Sequence, residues 1–212
     1  MLDTVIMLAI ARQSPLILLY IDFADAYTTV PLAIFFAFLL HIGCDPSVVS
    51  ILEELSKVFL QYKTWYGLSA FFRQMKGVIQ GSITGCLIFQ IFIEILCKEL
   101  EHQLKGFQIG EDTGDSHHTI LSVLRVIYAD DCTLTFTTKS ELNTALFILS
   151  SWEAATGMEV KFKDKKKTVV SILMWTPIGR MFTPQDTIWY YPKAGPRIKV
   201  PIINFDEPHK VL

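Results

Sequence analysis

The sequence predicts an α+β fold of the ferredoxin-like type, an antiparallel sheet with helices packed on one face. Two observations lead there. Once insertions are set aside, the order along the chain is strand (16–22), helical stretch, strand (121–128), strand (132–138), helix (140–156), strand (158–173), which is β-α-β-β-α-β. The composition is that of a chain with a core to bury: 51% hydrophobic against 19% charged over 212 residues. Disorder is therefore excluded for most of it.

Each element has a local reason. Residues 1–12 read as the end of a helix, and Pro15 breaks it. Residues 16–21 are bulky and apolar without interruption, the pattern of a buried strand. Pro31 opens a helical stretch, and Gly43, Asp45 and Pro46 separate it from a second helix over 48–61. Tyr66-Gly67-Leu68-Ser69 is a turn between aromatic and β-branched residues, which predicts an inserted β-hairpin. In the long helix over 83–104, Gln90, Glu94 and Lys98 recur every four positions. Residues 106–118 read as a polar loop. Residues 121–128 and 133–138 read as strands around a tight acidic turn, Ala129-Asp130-Asp131-Cys132. Ser140 and Glu141 start a helix that stops at Gly157. Two further strands flank a lysine-rich turn. The domain reading is 1–175 for the folded domain and 176–212 for a C-terminal segment, irregular or made of strands whose partners are absent.

Charge and cysteine usage narrow the function. With 19 Lys+Arg against 21 Asp+Glu, the net charge of −2 excludes a globally basic nucleic-acid binder, though not a local basic patch. Mean hydropathy is +0.38, but the longest unbroken apolar run covers only residues 32–40, short of the roughly 20 residues of a membrane span. Cys44, Cys86, Cys97 and Cys132 form no Cys-x-x-Cys pair, so the expectation is a reduced, intracellular protein without a zinc site.

The chemistry comes from topology. In a β-α-β-β-α-β sheet the first two strands run the same way. Asp22 ends the first, and Asp130 and Asp131 follow the second, so the fold gathers three carboxylates at one edge. Clustered carboxylates repel unless a cation sits among them, and hard oxygen donors favour Mg2+ or Mn2+. Two such ions would suit in-line phosphoryl displacement, so geometry alone predicts metal-assisted nucleotidyl transfer or hydrolysis.

The same residues resemble a known family. Tyr128-Ala129-Asp130-Asp131 is similar to the Tyr-x-Asp-Asp motif of reverse transcriptases, and Ile21-Asp22-Phe23-Ala24-Asp25-Ala26-Tyr27 to their first catalytic motif. Lys76-Gly77-Val78-Ile79-Gln80-Gly81-Ser82 resembles their Gly-Val-x-Gln-Gly motif. Gly157-Met158-Glu159-Val160 with Lys167-Thr168 resembles the later Gly-Leu-x-x…Lys-Thr motif. Order and spacing look like the polymerases of non-LTR retrotransposons. The resemblance implies an RNA-directed DNA polymerase palm in which Asp22, Asp130 and Asp131 are catalytic and bind two Mg2+ (or Mn2+) ions. It implies substrate contacts for Tyr27 (under the incoming sugar), Phe23, Gln80, Gly81 and Lys167. Its partners would be an RNA template, a DNA primer and deoxynucleoside triphosphates.

The chain departs from the pattern in two places. Ser82-Ile83-Thr84-Gly85-Cys86 stands where the family usually has Cys-Pro-Leu-Ser-Pro, and Thr28 where many relatives have Asp. The 21 residues before Asp22 leave no room for fingers, and the C-terminal segment leads towards a missing thumb, so the expectation is a palm fragment. A catalytically inactive remnant of such a polymerase is the competing reading. An RNA-directed RNA polymerase would share the palm, but Ala129 and Tyr27 count against it.

Some residues keep two readings. Adjacent acids also occur in solvated turns, and Asp25 reads equally as a solvated acid. Tyr27 reads as core or sugar neighbour. Lys161, Lys163, Lys165, Lys166 and Lys167 read as a solvated turn or as phosphate contacts.

Overall fold

The computed structural model describes residues 1–57, 59–74, 76–79, 81–110, 121–128, 131–162, 167–184, 187–192 and 195–204, with Tyr128 described by its backbone alone. The chain divides into two compact units, Met1–Ala24 with Glu94–Leu212, and Asp25–Ile93. In order the first elements are α1 (Leu2–Ala11), β1 (Leu16–Ile21), α2 (Ala26–Thr29), α3 (Leu32–His41), α4 (Pro46–Leu55), β2 (Phe59–Leu60), β3 (Lys63–Thr64), β4 (Gly67–Leu68) and β5 (Phe72–Arg73). There follow α5 (Ile83–Gln103), β6 (Phe107–Ile109), β7 (Leu121–Val123), β8 (Arg125–Tyr128), β9 (Asp131–Phe136), α6 (Lys139–Thr156) and β10 (Val169–Trp175). Last come β11 (Met181–Phe182), β12 (Ile188–Tyr190), β13 (Ile198–Val200) and β14 (Ile202–Ile203).

The larger unit is built on a sheet in the order β11-β10-β1-β9-β8. β1 is antiparallel to both β9 and β10, and β8 is antiparallel to β9, so β1 and β8 run the same way. This is the order a β-α-β-β-α-β chain produces. β1 is apolar throughout because both its faces are covered. Leu16 and Leu18 join Val5, Ala9, Phe107, Val123 and Leu173 in one buried cluster, under α1 and the β6–β7 hairpin. The other face belongs to α5 and α6. α6 packs on β1 and β9, and Arg125 of β8 holds α5 through Glu94 (2.7 and 2.9 Å) and Glu101 (2.9 Å). The Arg125 guanidinium keeps Glu94 below the usual carboxylate range.

Local chemistry sets the boundaries. Thr138 caps α6 by accepting from the Glu141 N–H (3.2 Å), while the Glu141 carboxylate accepts from Thr137 (3.2 Å), a capping box shifted by one residue. Gly157, at φ +70°, ends the helix. The stretch 121–128 is two strands rather than the single one expected. At Leu124 the pairing changes: the β8–β9 register runs on through the Thr135 N–H to the Leu124 carbonyl (2.8 Å), the buried Thr135 hydroxyl donates to Val123 O, and β7 pairs with β6 instead of β9. Gly106 passes so close that a Cβ there would lie 2.5 Å from Leu124 Cα.

The second predicted helix is shorter than expected. It ends at Leu55, where the Ser56 hydroxyl donates to Leu52 O (2.7 Å), and the apolar residues after it pair as strand. In residues 176–204 the strands find their partners within the chain. β11 and β14 pair with β10, and β12 with β13. Among the described residues no helix is long and apolar enough to cross a membrane.

In the smaller unit, α3 packs on α4, and the hairpin closes through β3–β4 and β2–β5. Asp25, at φ +48°, turns the chain into α2, a conformation Asp tolerates better than most residues.

Candidate active site

The site grows from the end of β1. The β1–β9 register pairs Ile21 with Cys132, and one step further sets Asp22 opposite Asp131 on the same face of the sheet. That face is the one carrying Tyr20, and the α5–α6 layer lies on the other. Tyr20 is half-buried beside the strand end, and burial pushes its phenol up to about 12. Asp131 begins β9 opposite Tyr128, so the acidic turn is narrower than the four residues expected. Asp130 lies outside the described residues. Among the described residues no three His, Cys, Asp or Glu side chains form a cluster. The two described acids, Asp22 and Asp131, are hard oxygen donors at one strand end, a donor set that fits Mg2+ or Mn2+.

Asp22 is clamped by its neighbour strand rather than by a regular ladder. Its N–H donates to the Thr168 hydroxyl (3.1 Å), and its carbonyl accepts from the Lys161 N–H (2.9 Å). Thr168, fully buried, also donates its own N–H to Lys161 O (3.1 Å). The Lys167 ammonium sits 3.0 Å from Asp22 Oδ2. In this form a lysine supplies the positive charge that the carboxylate needs. Lys163, Lys165 and Lys166 lie outside the described residues, so of the lysine run the structure assigns Lys161 to the backbone clamp and Lys167 to the acid.

Phe23 is 2% exposed and bridges to Val160, and the Ala24 N–H donates to Glu159 O (2.7 Å). Phe23 thus offers a ligand its backbone and not its ring. Glu153 was not anticipated. From the last turn of α6 its carboxylate accepts from the Val160 N–H (2.6 Å) and from the Tyr190 hydroxyl. Burial holds it above the usual carboxylate range. Tyr190 stacks on Phe162 at 4.2 Å. An acid at a helix C-terminus opposes the macrodipole, and that was the one signal in the sequence. A cleft of about 650 Å3 opens here, lined in part by Ala24, Glu159, Lys161, Gly195 and Ile198.

The smaller unit holds the remaining expected residues. Tyr27 is 8% exposed, with its ring 4.8 Å from that of Phe89. The Gly-Val-x-Gln-Gly segment is tied to it: the Val78 N–H donates to Tyr27 O (2.7 Å) and the Gly77 N–H to Val30 O (2.8 Å). Gly77 is obligatory, since at φ +82° a Cβ would lie 2.2 Å from Thr28 O. Gly81 is exposed, at φ +87°, just before α5, and Gln80 lies outside the described residues. Cys132 is buried, and its burial raises the thiol far out of the reactive range.

A palm-like sheet with acids at the end of its central strand defines a class of nucleotidyl-transfer fold. The family described as reverse transcriptase (RNA-dependent DNA polymerase) matches residues 6–191, and the chain belongs to that family. Among solved structures it is similar in fold to apo telomerase from Candida tropicalis truncated from the C-terminal domain, at 14% identity and a TM-score of 0.54. That match covers 88% of this chain and 36% of the other, so the chain spans about a third of the telomerase chain's length. No curated protein matches the chain significantly.

Proposed function

We propose that the chain is the palm of an RNA-directed DNA polymerase, of the non-LTR retrotransposon type. It would extend a DNA primer on an RNA template with deoxynucleoside triphosphates, inside the cell. The palm would comprise residues 1–175, with 176–212 leading towards a thumb, and finger and thumb segments outside these 212 residues would complete the enzyme. The observation that carries the reading is the register that sets Asp22 opposite Asp131 although 109 positions separate them in sequence, with Lys167 against Asp22.

Asp22, Asp130 and Asp131 would hold the metal. Two Mg2+ or Mn2+ ions bound there would supply charge stabilisation for the phosphoryl transfer. The chain's own residues do the rest. The Thr168 and Lys161 clamp fixes the Asp22 backbone, so the carboxylate is positioned before substrate arrives. Lys167 moves its charge from Asp22 to the triphosphate. Tyr27 screens the 2′ position of the sugar, and Gln80 and Gly81 face the nucleotide and template. The test is primer extension on an RNA template by the chain supplied with finger and thumb segments. Asp22→Asn and Asp130→Asn should each abolish extension while leaving the fold intact. Full activity in either variant refutes the assignment.

A further inference from the structure

No acid occurs between Glu54 and Glu94, in a chain whose overall charge is −2. Within that stretch the β2–β5 hairpin exposes Lys63, Arg73 and, just after it, Lys76, and none of the three carries an ion pair among the described residues. At its tip Thr64 pairs with Gly67, so the loop is two residues, Trp65 and Tyr66, each 102% exposed. Tight turns of this kind ordinarily use Asn, Asp or Gly. Two large aromatics held wholly in water contribute nothing to the fold, and their placement asks for a ligand with a flat apolar face.

The platform is held by hydrogen bonds and a ring stack. Tyr62 and Ser69 exchange hydrogen bonds (both 2.9 Å), the Thr64 hydroxyl donates to Gly67 O (2.8 Å), and Tyr62 stacks on Phe72 at 5.0 Å. Exposed rings at the tip, with Lys63 next to them in the strand and Arg73 and Lys76 towards the base, match a single strand of nucleic acid, whose bases stack while its phosphates are neutralised. The charge argues against a second copy of the chain, because like-charged hairpins repel.

We infer that this hairpin is a docking site for single-stranded RNA, bases on Trp65 and Tyr66, phosphates at Lys63, Arg73 and Lys76. The choice of RNA rests on the polymerase reading above. Three phosphate contacts on a single strand imply a salt slope of about −2 in log affinity against log salt.

The experiment uses the 212-residue chain and a fluorescein-labelled oligouridine 12-mer, read by anisotropy at several salt concentrations. Trp65→Ala should weaken binding about 5-fold or more, as loss of one stacked base does, and Trp65→Phe should restore most of it. Lys63→Ala with Arg73→Ala should flatten the slope by about 1 to 2. Because Trp65 and Tyr66 are fully exposed, their replacement leaves the fold unchanged by circular dichroism. Equal affinity for a 12-bp RNA duplex, or an unchanged affinity and slope in the variants, overturns the inference. So does sedimentation in which Trp65→Ala dissolves a dimer without affecting RNA. Asp22→Asn should keep the RNA affinity, so loss of extension in that variant with no effect of Trp65→Ala on RNA would defeat this inference and leave the polymerase reading standing.

Discussion

Replacing Lys167 by methionine should strengthen divalent-cation binding at Asp22. The ammonium lies 3.0 Å from Asp22 Oδ2, with the lysine side chain 50% exposed and the aspartate 20%. Two unit charges at that distance attract by about 1.4 kcal/mol in bulk water and about 5.5 kcal/mol at an effective dielectric of 20. Water reaches half of the lysine, and ordering two side chains costs entropy, so the net value falls to about 1 kcal/mol. A cation binding Asp22 must displace that pair. Methionine removes the competition and keeps the packing of the stem, so Mn2+ affinity should rise about 5-fold. Lys167→Arg retains the charge and should bind Mn2+ as the unaltered chain does. The assay is calorimetric titration with Mn2+, with Asp22→Asn as the blank. The same Lys167→Met substitution should weaken binding of a deoxynucleoside triphosphate, because the lysine is then missing where the phosphates arrive. Unchanged or weaker Mn2+ binding in Lys167→Met would refute the competition.

Three further outcomes are expected. Tyr27→Ala, in the chain supplied with fingers and thumb, should raise ribonucleotide incorporation relative to deoxyribonucleotide, and an unchanged ratio would leave Tyr27 as packing against Phe89 alone. Gly77→Ala should lower stability by at least ~2 kcal/mol, from the left-handed backbone and the 2.2 Å approach to Thr28 O together, read as a shift in urea midpoint. Glu94 is held below its ordinary value of 4.5 by Arg125, so the unfolded chain binds more protons there and the pair's stabilisation is complete above about pH 4.5. That stabilisation is lost as pH falls through the lowered folded value, so Glu94→Gln should flatten this part of the urea-midpoint profile, and a profile parallel to the parent's would remove Glu94 from the account.

Much of the fold was legible because it is written in local patterns. The unbroken apolar run at 16–21, the Gly157 stop and the alternating strands around the acid pair need no distant residue to be read. Strand order followed from connectivity, since a β-α-β-β-α-β chain has few ways to close an antiparallel sheet. The places of Asp22 and Asp131 were legible for the same reason, since each stands at a strand end that the sequence marks.

What only the tertiary structure decided concerns register and burial, which depend on partners far along the chain. Nothing local says that Lys167 faces Asp22, because the contact comes from the pairing of Tyr20 with Val169 two steps earlier. The Thr168 hydroxyl looks like any other threonine until the Asp22 backbone N–H, 146 residues away, is found bonded to it. Glu153 reads as a surface acid until the fold buries it under Tyr190 and Val160. Leu124 divides a strand that its own residues would continue, because β7 pairs with β6 while β8 stays with β9. The strands between 176 and 204 become definite only where β10 offers an edge to β11 and β14 and where β12 meets β13. In each case the deciding energy is a hydrogen bond or an ion pair between residues that are not neighbours in sequence, and a one-dimensional pattern carries no record of it.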